Sequence, residues 1–277
     1  MFIYYLFLLV LISLAVIEQL LKKIPFVFAI PVIFLMVLLA GFRGEDVSRD
    51  YGNYVEMYKF VGSMSDYFTF YDFYFIYEPL FYFIVSGLKV IFGSQYLSLF
   101  ILFALVGVVF KTAGIRKLSP YPYLSLLLYY VSFFFLHDMT QIRIGVAGGI
   151  LLLFALPCLI KDNKKGFLIY CVLAGIIHYS SLLYILLLLI KKTSLNKWKY
   201  ISFFIMCLIL SLLRINFMNI VSGLPLGAIS MKIEKYTNTL DYTDTIQVNV
   251  FNIMFLLKMA LGLTLLVLTG RRADEKE

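Results

Sequence analysis

What most constrains this chain is the recurrence, from Met1 to Gly270, of apolar runs closed by clusters of Lys and Arg. The first, Phe2 to Leu21, runs straight into Lys22-Lys23. A transmembrane helix needs about 20 apolar residues, whereas the core of a signal peptide has only about 7 to 15 and ends in a small-residue cleavage site that is missing here. The segment therefore reads as a span retained in the mature protein. Further runs cover 24–40, 79–92, 96–110, 121–136, 144–160, 166–177, 179–190, 200–213 and 250–269. No polar stretch between them is long enough for a soluble domain of ordinary size, so residues 1–277 read as one integral membrane domain. With 62% hydrophobic and 14% charged residues the chain is far from the soluble average of about half and about a quarter.

A net charge of +8 would suit nucleic acid, but the basic residues flank apolar runs, where they set membrane orientation, and nucleic-acid binding drops out. The connections 22–23, 111–117, 161–165, 191–199 and 271–277 hold 15 Lys and Arg between them, which the positive-inside rule assigns to the cytoplasm. Loop 42–78 has three basic residues against seven acidic ones and suits the outer face. If every run crossed, 111–117 and 161–165 would lie outside. Two exceptions restore the charge rule. Run 79–92, with Lys89 inside it, spans roughly 21 Å against a core of about 30 Å and reads as re-entrant or interfacial. Runs 166–177 and 179–190 read as a half-membrane hairpin with His178 at its tip, facing a polar cavity. The expected fold is an all-α polytopic bundle of about eight full spans, N-terminus outside, whose outward side collects 42–78, 137–143 and 214–248.

The residues worth weighing sit on that side. In Gly41-Phe42-Arg43-Gly44-Glu45-Asp46-Val47-Ser48-Arg49-Asp50-Tyr51-Gly52-Asn53-Tyr54, Arg43 and Arg49 offer forked donors for phosphate, and Asp46 and Asp50 can orient them, accept a proton or ligate a cation. The plainer alternative is a solvated loop with surface pairs. Arg143, at the start of a helix, opposes the macrodipole and so calls for an anionic partner: either a phosphate drawn to the same first-turn amides, or headgroups reached by snorkelling. His137 and Asp138 read as interfacial polar residues. His178, an ionisable group between apolar half-spans, reads as functional or as an interhelical hydrogen bond. Glu18 falls near the cytoplasmic interface beside Lys22, and Lys258 has no evident partner.

Two histidines cannot build a multi-His metal site, and Cys158, Cys171 and Cys207 lie in apolar runs without ligand spacing, so neither metal, disulfide nor other cofactor is expected. The motifs of serine hydrolases, P-loop pumps, zincins and dinucleotide enzymes are absent.

The order of a Lys pair after the first run, GFR…DY..Y after the second, Glu78-Pro79 before a short run, an Arg at the start of a later helix, and His178-Tyr179-Ser180-Ser181-Leu182 resembles the EpsG family of bacterial exopolysaccharide proteins, grouped with Wzy-type O-antigen and capsule polymerases. The resemblance extends to about Ile190. The family's usual V-G-T-D-Y reads Val47-Ser48-Arg49-Asp50-Tyr51 here, and its Arg-Gln reads Arg143-Ile144. The resemblance implies a polymerase of the bacterial inner membrane that joins oligosaccharide repeat units carried on undecaprenyl diphosphate at the periplasmic face, with flippase and chain-length regulator proteins as partners. In that chemistry Arg43 and Arg143 would hold the diphosphate, His178 would be the acceptor base, and Asp50 or Glu78 an alternative base or an orienting group. Tyr51 and Tyr54 would face the sugars. A flippase or exporter for the same lipid-linked sugar is the alternative, and a membrane acyltransferase using His178 a weaker one. A transporter would show matched broken helices in two halves, and only one such hairpin is present.

Overall fold

A computed structural model describes residues 2–21, 24–69 and 78–189, with isolated residues between 198 and 209. The chain divides into two units, Met1–Leu189 and Ile190–Glu277, and the elements below belong to the first. The predicted loop 214–248, the runs 200–213 and 250–269, Lys258 and the basic tail lie outside the described residues. Within them every regular element is helical. These are α1 (Phe2–Leu21), α2 (Ile30–Gly41, after a 3-10 turn Phe26–Ala29), α3 (Tyr51–Phe60), α4 (Met64–Thr69) and α5 (Pro79–Phe92), followed by α6 (Leu97–Leu118) and α7 (Pro122–Tyr129, continuing as a π-helix Tyr130–Asp138). Next come α8 (Ile142–Ile160) and α9 (Lys164–Ile177), and a 3-10 helix Tyr179–Leu189 closes the unit. Three helices, α1, α6 and α8, are long and apolar enough to cross a membrane, and Phe26–Gly41, Pro79–Phe92 and Tyr179–Leu189 are shorter apolar helices.

Side-chain contacts give the direction of each helix. The hydroxyl of Tyr130 donates to the Tyr4 carbonyl while Glu18 accepts from the amides of Tyr123 and Leu124, so α1 and α7 run antiparallel. Glu18 thereby neutralises the first-turn amides of α7, the place where a carboxylate stabilises a helix most. Gly41 lies against Ile101 and the Arg116 guanidinium over Phe26, which makes α2 antiparallel to α6. The end of α1, the 3-10 turn before α2 and the end of α6 consequently share one end of the unit, the end that carries Arg116.

Helices α6 and α8 run parallel, because Gly107 meets Gly145, Phe110 meets Gly149 and Gly114 meets Leu152. A Cβ on Gly149 would come 2.9 Å from that of Phe110, and one on Gly114 would come 2.8 Å from Leu152, so glycine is what lets these backbones approach. This register starts α8 roughly 10 Å further from the outer end than α6. Helix α9 returns antiparallel to α8, Cys158 lying against Gly166 and Phe154 stacked on Tyr170. At extended His178 the chain reverses, bringing Leu182 back onto Gly175.

Helix α5 begins beside the first third of α6, with Phe81 on Phe103, and ends where the Gly93 carbonyl accepts from Tyr58 of α3. Lys89 donates to the carbonyls of Lys59 and Val61, tying α5 to the last turn of α3. The segment from Gly41 to Leu97 thus leaves and re-enters at the same end.

Two expectations need correction. Lys111, assigned to a cytoplasmic connection, lies inside α6, and Asp138, taken as interfacial, is 2% exposed and 2.7 Å from the Lys111 ammonium. The cause is length: α6 continues through Leu118, and burial of each charge is offset by the other. Ser65 and Ser119 should still label from opposite sides. A Ser65→Cys variant is expected to react with an impermeant thiol reagent in intact cells, and Ser119→Cys only after lysis.

Candidate active site

Glu78 is the N-cap of α5 and sits at φ 83°, ψ 82°, a left-handed backbone. For a non-glycine residue this costs on the order of 1–3 kcal/mol, and the following Pro79 restricts it further. The strained turn drives the carboxylate inward, where it is 1% exposed. Its Oε2 accepts from Nη1 of Arg143, the second residue of α8. Its Oε1 stands 2.9 Å from Nδ1 of His178 and 3.3 Å from the backbone nitrogen of Tyr179. One carboxylate therefore joins the start of α5, the start of α8 and the tip of the α9 hairpin. Arg143 finds the anionic partner that its position demands, and it finds it within the protein.

Nδ1 of His178 stands within ion-pair distance of Glu78 but is not aligned for a hydrogen bond to it, and it has no other hydrogen-bond partner among the described residues. Nδ1 is wholly buried while the His178 side chain is 20% exposed, so the accessible edge belongs to the rest of the ring, which carries Nε2. This places an imidazole, a carboxylate and a guanidinium side by side.

Arg43 lies on the same side, just beyond α2. It is 4% exposed, donates from Nη1 to the Ala40 carbonyl, and lies 4.3 Å over the Phe100 ring. Its Nε and Nη2 are buried without a hydrogen-bond partner. Burial pulls its pKa down to about 10, which leaves it cationic at neutral pH. Among the described residues no carboxylate comes within ion-pair distance of Arg43, in contrast to Arg143. Asp50, at the N-cap of α3, is half-buried and joins no ion pair among the described residues.

The two tyrosines differ. Tyr51 is half-buried and stacks on Phe100 at 4.6 Å, leaving part of its ring accessible. Tyr54, 3% exposed, packs between Phe81 and Phe100, and the Arg143 guanidinium lies 5.6 Å from its ring centre. Tyr54 thus serves as a platform under Arg143, with Phe81 at 5.3 Å beside it. These aromatic supports, Phe81 and Phe100, escape sequence reasoning because nothing separates them from the other phenylalanines of a membrane chain. Phe70, Tyr71 and Tyr74 of the same loop lie outside the described residues.

Three apolar helices of membrane length, and a buried Glu that gathers a part-buried Arg and His at one end of the unit, define a helical membrane protein with a charged cluster among its helix ends. Residues 26–270 match the EpsG family, and the chain belongs to it. Members of that family are Wzy-like polymerases, which places the protein in polysaccharide biosynthesis. No curated protein and no solved structure matches the chain.

Proposed function

We propose that the protein polymerises undecaprenyl-diphosphate-linked oligosaccharide repeat units at the periplasmic face of the inner membrane. The observation that carries this reading is Glu78 held between Arg143 and His178, at the end of the unit away from Arg116 and Lys117. A hydroxyl on the nonreducing sugar of the new unit gives its proton to Nε2 of His178. Its oxygen bonds to the anomeric carbon of the growing chain, the bond from that carbon to the diphosphate breaks, and undecaprenyl diphosphate leaves with the electron pair. Charge grows on the diphosphate as that bond opens, so donors already in place there stabilise the transition state more than the ground state. Arg143 and Arg43 supply them. Glu78, within ion-pair distance of the ring, stabilises the positive charge the imidazole gains as it accepts the proton, Asp50 is the alternative base, and the accessible ring of Tyr51 stacks on sugar with Tyr54 behind it.

Purified protein given a lipid-linked repeat unit should build a ladder of chain lengths. Arg143→Ala should abolish the ladder, and Arg143→Lys should retain little of it, since a point charge does not replace a planar fork across diphosphate oxygens. Long chains from correctly folded Arg143→Ala protein would remove the diphosphate role. Export of unpolymerised units with no ladder from the wild type would favour the flippase reading.

A further inference from the structure

The charged group that this chemistry leaves unused is buried at the heart of the unit. Lys111 of α6 donates to both oxygens of Asp138, at 2.7 and 2.8 Å, and the hydroxyl of Tyr129 donates to Oδ2 at 2.8 Å. All three residues are buried, and the Lys111 ammonium lies 5.5 Å from the centre of the Tyr129 ring. Asp138, the last residue of the α7 segment before the turn into α8, is thus fastened across to α6 by Lys111 and back along its own helix by Tyr129.

We propose that Lys111, Asp138 and Tyr129 form a register clamp that sets the height of α8 against α6, and so positions Arg143 in the site. The helices need such a device. Their contact is made by Gly107, Gly145 and Gly149, small residues that allow close approach but hold no single axial position. Between helices in lipid, apolar packing supplies little force that distinguishes one register from the next. A buried ion pair does distinguish them, since a slip strands both charges, and fixing register is the best-attested use of a buried polar group. The fit around the carboxylate is close as well: a Cβ on Gly107 would lie 2.6 Å from Oδ1 of Asp138, and one on Gly145 would lie 3.1 Å from it.

Arg143 follows Asp138 by one short turn. A slip of one residue along α8 moves the guanidinium by about 1.5 Å, enough to break its hydrogen bond to Glu78. Misplacement by about 1 Å at a reacting group can cost about 10²-fold in rate. Lys111, Asp138 and Tyr129 are positioning residues, acting through Arg143.

The test replaces the charges while preserving the volume. The double variant Lys111→Met, Asp138→Leu removes both partners together, so no lone charge is left buried. Thermal unfolding close to wild type, with kcat lowered at least tenfold and KM within about threefold, is the expected result. A folded double variant with wild-type kcat overturns the proposal. Should the double variant fail to fold, Tyr129→Phe removes one hydroxyl and keeps the ion pair; a severalfold loss of kcat supports the clamp, and an unchanged kcat overturns it.

The effect on turnover rests on the polymerase reading, whereas the register does not. A second measurement therefore stands apart from activity: cysteines replacing Phe110 of α6 and Phe154 of α8, whose ring centres lie 5.4 Å apart, should cross-link efficiently through a short bifunctional thiol reagent in the parent and several times less in the clamp variants. Equal cross-linking in both rejects the clamp even if the polymerase reading stands. Lost cross-linking in a protein that never polymerises keeps the clamp and rejects the polymerase.

Discussion

His178→Ala should reduce chain transfer by about 10²- to 10⁴-fold while leaving lipid-linked donor bound, because removal of a general base raises the barrier without touching the ground-state grip. A histidine that served only to join helices would behave otherwise: its loss would strand Glu78 and lower folded yield together with activity. Purified His178→Ala, measured for unfolding temperature, donor binding and single-turnover transfer, separates the two. Near-normal transfer by a folded, donor-binding variant would move the base to Asp50.

Glu78→Ala should be among the most damaging single changes at the site. It removes the carboxylate from under a guanidinium that is four-fifths buried, and breaking a buried pair in this way costs about 3–5 kcal/mol. The partial exposure of Arg143 puts the expected loss toward the lower figure. Folded yield and transfer should fall together. Glu78→Gln is the finer probe, since it keeps shape and one acceptor but no charge. The imidazolium formed during transfer would lack the neighbouring anion, so kcat should fall while donor binding stays within a few-fold. Unaltered kcat in folded Glu78→Gln would refute the supporting role of the carboxylate.

Much of this site is legible in the sequence because each of its parts is a local anomaly. Arg143 stands where a helix repels a cation, Glu78 precedes a proline at the edge of an apolar run, and His178 interrupts two half-spans. Such features attract notice singly, residue by residue. That they meet at one carboxylate is a fact of tertiary structure, since 65 residues separate Glu78 from Arg143 and no local pattern encodes that pairing. Lys111 and Asp138 are misread for the opposite reason. Each looks ordinary beside a charged connection, and only the extension of α6 through Leu118 carries the lysine inward. Glycines at 107, 114, 145 and 149 advertise close helices, yet spacing alone does not say which two helices meet. Helix type at the end of α7 is likewise hidden from a periodicity argument.

That last feature bears on how the protein can change over evolutionary time. The amides of Met139 and Gln141 reach back five residues, to the carbonyls of Phe134 and Leu136, so the turn before α8 is wound one residue wider than an ordinary helix. Deleting a single residue between Tyr130 and Phe135 would let the segment close to ordinary winding with Asp138 still turned toward Lys111, whereas an added residue would rotate Asp138 by about 100°, away from it. Homologous chains are therefore expected to tolerate substitutions and single-residue gaps in this stretch far better than insertions.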